Sequence, residues 1–285
     1  VVVTGTRHET DIRHLPMTIS VVGRQKIAEG FQPSLLPTLT EQIPGLFVTG
    51  RGIMGYGVSG GAAGQMTLRG VGGGPTTGLL VLIDGHPQYM GLMGHPIADA
   101  YQSMMAEKVE VLRGPASVLY GIQDPGGVVN IITKKPQQTP RYIIGGTLGN
   151  HSLWGTQLDF TGGLGNGFAY RFIYDKQEKD YWRNFGKVKN TTYAPSLSWE
   201  NDKTKVLLSY EHKDILEPFD RGTNLLTATN ALPDIPVSRR LDEPNNETTA
   251  KTDNIDFKIE HKLSDGWKLN AGYSYARYKY FYNQA

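Results

Sequence analysis

Three stretches of this chain combine residue types and spacings that could do chemistry. Gly57-Val58-Ser59-Gly60-Gly61 spells the G-x-S-x-G of a hydrolase nucleophile elbow. Such an elbow needs a strand before the serine and a helix after it. Here the motif lies inside Gly50–Gly64, with glycines on both sides, so it reads as loop. Gly70-Val71-Gly72-Gly73-Gly74 has the glycine content of a phosphate cradle but lacks the Lys-Ser/Thr that completes one. It reads as a flexible bend. The third stretch, His86–Pro96, holds His86, Gln88, Tyr89, Met90, Met93 and His95. Imidazole and thioether can ligate a metal, but no carboxylate or cysteine joins them and the spacing matches no standard site, so no metal centre is assigned. Two readings stay open: a loop presenting amphipathic side chains to a metal chelate, haem or corrinoid, or a packed loop whose methionines fill gaps. Nothing else resembles catalytic machinery, so neither an enzyme nor a cofactor is expected.

Composition bounds the setting. The 285 residues suffice for two ordinary domains. A formal net charge of +2 argues against a nucleic-acid partner. With no cysteine, disulfide and thiol chemistry are excluded. The 35 glycines suit tight turns and close backbone packing. No run of about 18 apolar residues is present, so no transmembrane helix is expected. No signal peptide is seen, which leaves a cytosolic protein or a numbering that starts at a mature N-terminus. All 7 methionines precede residue 110, and all 4 tryptophans follow residue 140. The change falls at the basic, proline-flanked connector Lys134–Pro140, giving two domains, 1–137 and 138–285.

The elements that must position the first domain's residues are short. Val1–Arg7 is a β-branched run followed by polar residues, an extended segment able to add to a sheet edge. A strand over Met17–Val22 precedes a short helical piece, Arg24–Ala28, ended by Gly30. Leu35, Leu36, Leu39 and Ile43 have helical spacing, with Pro44-Gly45 as the stop and Leu46–Val48 as a strand beyond it. Gln65–Gly70 and Gly78–Gly85 are strands, the second almost wholly apolar and therefore covered on both faces. Ile97–Ala106 reads as a helix. Val109–Leu112 is then a strand stopped by Arg113-Gly114-Pro115, and Ala116–Tyr120 fits one helical turn closed by Gly121. Asp124-Pro125-Gly126-Gly127 is turn chemistry leading into a strand over Val128–Thr133.

The run ValGluValLeuArgGlyProAlaSerValLeuTyrGly, followed by ProGlyGlyValValAsnIleIle, resembles the end of the plug domain of TonB-dependent outer-membrane receptors. Gly114, Pro115, Tyr120, Gly121, Gly126, Gly127 and Asn130 carry that motif. SerLeuLeuProThrLeuThrGluGlnIleProGlyLeuPheVal, from Ser34 to Val48, also resembles the plug. The resemblance implies an α+β plug followed by antiparallel transmembrane β-barrel strands. Val1, Val2, Val3, Thr4 and Gly5 then resemble the strip gripped by TonB through strand addition, the alternative being a first strand of the plug. The same resemblance makes the His86–Pro96 loop an apical, ligand-facing segment. It also matches Arg69 and Arg113, each placed directly before a glycine after a strand, to arginines that lock the plug to barrel glutamates.

The second domain alternates with period two. Phe168, Tyr170, Phe172 and Tyr174 interleave with Arg171 and Asp175, and Ile255, Phe257 and Ile259 with Asp256, Lys258 and Glu260. Seven strands are expected, at roughly 141–148, 152–161, 167–178, 191–200, 203–214, 254–263 and 267–283. Links after the second, fourth and sixth are short, and those after the third and fifth long, the asymmetry of a transmembrane barrel. Trp154, Trp199 and Trp267 near strand ends suit an aromatic girdle. ThrTyrAlaProSerLeuSerTrp and Pro218–Thr223 resemble the ferric-siderophore branch of the family. The family barrel has about 22 strands, so the chain is expected to be an N-terminal portion of a larger receptor. The function implied is TonB-driven import of an iron–siderophore complex across the outer membrane of a Gram-negative bacterium, with TonB, the chelate and outer-membrane lipid as partners. A cobalamin or haem receptor, or a nutrient-binding or signal-transducing receptor without transport, is the alternative.

Overall fold

The computed structural model describes residues 2–3, 10–11, 18–30, 34–48, 66–72, 79–87, 102–113, 126–220, 222–223 and 225–283. The chain divides into two compact units, Val1–Lys134 and Lys135–Ala285.

In the first unit the elements follow as β1 (Val2–Val3), β2 (Thr10–Asp11), β3 (Ile19–Gly23), α1 (Arg24–Glu29), α2 (Leu35–Gln42), β4 (Leu46–Val48), β5 (Met66–Leu68), β6 (Val71–Gly72), β7 (Leu79–Ile83), β8 (His86–Pro87), β9 (Ala106–Arg113) and β10 (Gly127–Thr133). A five-stranded sheet runs β3-β9-β10-β7-β8, beside a three-stranded sheet β4-β5-β6 and the β1-β2 pair. β7 and β10 pair in parallel, and every other contact in the larger sheet is antiparallel. The apolar run Leu79–Leu82 is buried throughout, as befits a strand covered on both faces. Helical spacing in α2 puts Leu35, Leu36 and Leu39 on one stripe, which packs with Ile27 of α1 against Val109, Val111, Val129 and Ile131 of the sheet. Each such side chain taken out of water contributes about 1.5–3 kcal/mol.

Two expectations for this unit need correction. Of the helix expected over Ile97–Ala106, residues 97–101 lie outside the described residues, and Ser103–Met105 form a single 3-10 turn. Ala106 already opens β9, because its backbone is drawn into the ladder opposite Thr133. The strand expected over Gln65–Gly70 stops at Leu68, since Arg69 and Gly70 both adopt positive φ (55° and 75°). They form the tight hairpin turn between β5 and β6.

The second unit is a seven-stranded antiparallel meander in sequence order. Its strands are β11 (Arg141–Gly149), β12 (Leu153–Gly165), β13 (Phe168–Asp180), β14 (Lys187–Glu200), β15 (Thr204–Pro218), β16 (Glu247–Ser264) and β17 (Trp267–Tyr282). At one end the links are 166–167, 201–203 and 265–266; at the other they are 150–152, 181–186 and 219–246. The link after β13 is shorter than expected, because β13 and β14 both run on beyond their apolar residues. β16 likewise starts at Glu247, not near residue 254.

Candidate functional site

The decisive geometry of the second unit is the contrast between the two faces of its sheet. Cross-strand register places Tyr170, Leu197, Leu208, Phe257 and Tyr273 in one row on one face. Tyr142, Phe160 and Phe172 form a second row on that face, and Ile144, Leu158, Tyr174 and Tyr193 a third. This apolar face is the exposed one: Ile144 is 75% accessible, Leu208 48% and Tyr273 63%. The opposite face carries Asp159, Thr161, Arg171, Asp175, Thr192, Lys213 and Thr252, all buried. A sheet in water has the reverse arrangement, since exposed contiguous apolar area beyond a few hundred Å² is rare. A hydrocarbon environment makes such a face favourable.

The buried charges are paired, as burial demands. Arg171 donates through Nε and NH2 to both oxygens of Asp159, at 2.8 and 2.7 Å, and through NH1 to the Lys135 carbonyl. Lys213 sits 2.8 Å from Glu211. Aromatic residues bracket the apolar rows. Phe168 and Trp199 meet at 6.2 Å near the short-link end, with Trp267 exposed close by in the sequence of β17. Toward the other end, Tyr193 stacks on His212 at 4.8 Å and meets Tyr210 at 6.1 Å. Past this row the same face turns charged, with Asp214–Lys251 at 2.9 Å and Glu178 near Lys187 and Lys189.

In the first unit, Val2 and Val3 form β1, held to Asp11 and Thr10. Val1, Thr4 and Gly5 lie outside the described residues. So do Gln88, Tyr89, Met90, Met93 and His95, and of the motif residues Gly114, Pro115, Tyr120 and Gly121. His86 is half-buried in β8, at the root of that loop and opposite Ile83. The turn leading to it, Asp84-Gly85, has φ of 50° and 84° and is clamped to the end of β10. Asp84 accepts hydrogen bonds from the Thr133 amide (3.1 Å) and hydroxyl (2.6 Å), while Asn130 Oδ1 accepts one from the Gly85 amide at 3.1 Å. This clamp escaped the sequence reading, although an Asp-Gly pair after an apolar run is a hairpin signal.

Arg69 and Arg113 have different surroundings. Arg69 is exposed, and its unusual position follows from the turn it occupies. Arg113 is half-buried and donates from NH2 to Ser20 Oγ at 2.7 Å, while its Nε is buried without a hydrogen-bond partner. Among the described residues no carboxylate lies within ion-pair reach of it. Gly126 and Gly127 are buried, and Gly127 has φ of 137°. A Cβ there would stand 2.2 Å from the Leu112 carbonyl oxygen, so only glycine lets β10 start at this distance from β9.

Residues 11–128 match the family model described as the TonB-dependent Receptor Plug Domain. The metal-pseudopaline receptor CntO of Pseudomonas aeruginosa is 33% identical over 187 residues, covering 62% of this chain and 25% of its own length. The ferrichrome outer membrane transporter/phage receptor of Escherichia coli K12 is 25% identical over 295 residues, covering 97% of this chain and 36% of that protein. The chain thus spans between about a fifth and just over a third of the length of the curated relatives it matches. Among solved structures, BauA, the ferric preacinetobactin receptor of Acinetobacter baumannii, superposes with a TM-score of 0.82 at 20% identity, over 99% of this chain and 40% of that one. That likeness establishes the fold: a plug followed by strands of an antiparallel barrel.

Proposed function

We propose, from the premise that this chain belongs to the TonB-dependent receptors, that it supplies the plug and early barrel strands of an outer-membrane importer of iron–siderophore complexes. The observation that carries the membrane assignment is the sheet of β11–β17, whose exposed face is apolar and whose buried face holds paired charges. The substrate class is supported by relatives named for ferrichrome, ferrioxamine and metal–pseudopaline. The last of these names favours a second reading, in which the chelated metal is not iron.

The remaining roles follow from the same premise. Val1–Gly5 is the strip that TonB grips. Its support is that β1, among the described residues, is held by the ladder Val2↔Asp11 and Val3↔Thr10, a pairing that an incoming strand could replace. His86, Gln88, Tyr89, Met90, Met93 and His95 contact the chelate from the plug. Arg113, short of hydrogen-bond partners at Nε, is the better supported of the two locking arginines.

The test is uptake of radiolabelled chelates by cells that carry the receptor as their sole importer. Ferric siderophores should accumulate only when TonB is present, and Val2→Pro should abolish accumulation while leaving surface binding intact, because proline removes a backbone donor from the strip. Equal uptake with and without TonB would overturn energised import. Accumulation of nickel or zinc chelates in place of iron would establish the second reading.

A further inference from the structure

Residues 135–140 lead into β11, and they are fastened to β12 and β13 almost residue by residue. The Lys135 carbonyl accepts from Arg171 NH1 at 3.0 Å, and the Gln137 amide donates to Thr161 Oγ1 at 2.9 Å. The Gly163 amide donates to the Gln138 carbonyl at 3.0 Å, and Gln138 Nε2 to the Gly167 carbonyl at 3.2 Å. The wall is shaped to receive this segment. A Cβ on Gly163 would stand 3.1 Å from the Gln138 carbonyl oxygen and 2.6 Å from its Oε1, and one on Gly162 would stand 3.6 Å from Pro140 Cα. Glycine inside a strand marks such a close approach of another backbone.

The anchors lie deeper than the segment they hold. Arg171, Asp159 and Thr161 are buried, whereas residues 137–140 are exposed. Thr161 donates its one hydroxyl proton to the Tyr170 carbonyl at 2.8 Å, so its oxygen is left to accept from Gln137. Neutralising Asp159 takes only Nε and NH2 of Arg171, and this two-point grip fixes the guanidinium plane. The remaining donor, NH1, serves the connector. One residue earlier the partners change. The Lys134 amide donates to the Met105 carbonyl at 2.9 Å, and Thr133 belongs to the β10 ladder and to the Asp84 clamp, all within the first unit.

We infer that Arg171 is a positioning residue for import: with Asp159 and Thr161 it straps the connector to the sheet, so that any rearrangement of the first unit under the pull of TonB ends at Lys134. Residues 135–138 stay on the wall throughout. The inference rests on the TonB-driven import reading and goes beyond it by fixing the point where movement stops. The β10 ladder is held by neutral backbone hydrogen bonds, whereas the bond from the Arg171 guanidinium is charge-assisted and roughly twice as strong, so the ladder yields first. Without the strap, the segment 135–140 could pay out to a length of roughly 20 Å and let the first unit travel that much farther.

The experiment uses cells whose sole importer is the complete receptor. They are supplied with ferrichrome, ferrioxamine B or metal–pseudopaline, whichever the wild type accumulates, and vancomycin entry is read with and without TonB. Arg171→Ala should raise vancomycin entry at least about fivefold when TonB is present and leave it within about twofold of wild type when TonB is absent, because the strap is stressed only under pull. Chelate binding at the cell surface should not change. Thr161→Val removes one anchor without leaving a buried charge unpaired; it should act in the same direction more weakly, and it carries the test if Arg171→Ala does not assemble. In wild-type receptor loaded with chelate and bound to the periplasmic domain of TonB, the Gln137 amide should keep its hydrogen-exchange protection. Entry that rises equally with and without TonB makes Arg171 a matter of barrel stability alone and overturns the inference, leaving import standing. So does entry that rises in neither variant, or loss of protection at Gln137. Wild-type cells that accumulate none of the three chelates, or accumulate them without TonB, overturn it together with the import reading.

Discussion

Gly127 shows how one residue can decide whether the plug sheet closes. Its Cβ-free backbone at φ 137° brings β10 up to Leu112 at the end of β9, where a backbone oxygen, unlike a flexible side chain, cannot swing aside. Gly127→Ala should therefore cost about 1–3 kcal/mol locally. The measurement is hydrogen exchange in the intact receptor, where amides of β9 and β10 should lose protection while those of β12–β14 keep theirs; undiminished protection in β9 would refute the account. The glycine itself was legible in the Asp124–Gly127 turn chemistry, but its reason was not, because close approach to a strand distant in sequence is a tertiary fact. Arg69 is the converse. Its place directly before a glycine follows from the positive-φ pair of a two-residue hairpin turn, a turn type that the sequence reading had not assigned. Arg240 gave no sequence signal at all, since its burial depends on Asp242, Phe185 and Gly186 meeting in space.

At the scale of the strand, alternation assigns neighbouring residues to opposite solvents. Leu208 lies in the exposed apolar row, while Ser209 faces the other way, opposite Asp256 of β16. In a bilayer, Leu208→Arg should lower receptor stability by about 2–4 kcal/mol, the penalty for a cation near the middle of the lipid face. Ser209→Arg, with a carboxylate across the ladder, should cost no more than about 1 kcal/mol. Urea midpoints of the bilayer-inserted receptor compare the two directly, and equal losses would mean that the apolar face is not the lipid face. The same alternation made all seven strands legible. It failed at their upper ends, because the apolar pattern stops near Tyr174 and Tyr193 while the backbone ladder continues through charged pairs such as Asp214–Lys251. Of the helix expected over Ile97–Ala106, the described part, Ser103–Met105, is one 3-10 turn before the ladder takes Ala106.

For the molecule in its membrane, the short links 166–167, 201–203 and 265–266 mark one side and the longer links 181–186 and 219–246 the other. If the longer links face outward, as the importer reading requires, protease added to intact cells should cut first within 219–246, where Leu225, Leu232 and Val237 are exposed. Residues 201–203 should resist until the outer membrane is opened. Mass spectrometry of the released peptides reads the order, and early cutting at 201–203 would invert the topology. This asymmetry of links was legible in the sequence, whereas the folding of the long link onto its neighbour was not.

The alternation that builds the lipid face also bears on how such a chain reaches its membrane. Along β13, Phe168-Ala169-Tyr170-Arg171-Phe172 never strings enough apolar residues together to resemble a hydrophobic span, and the mean hydropathy of the whole chain is −0.36. Among the described residues no helix is long and apolar enough to cross a membrane. Greasiness in this protein belongs to paired strands and not to the polymer: it comes into being when neighbouring strands align their alternate residues. An unpaired chain therefore lacks the continuous apolar surface that the folded sheet presents.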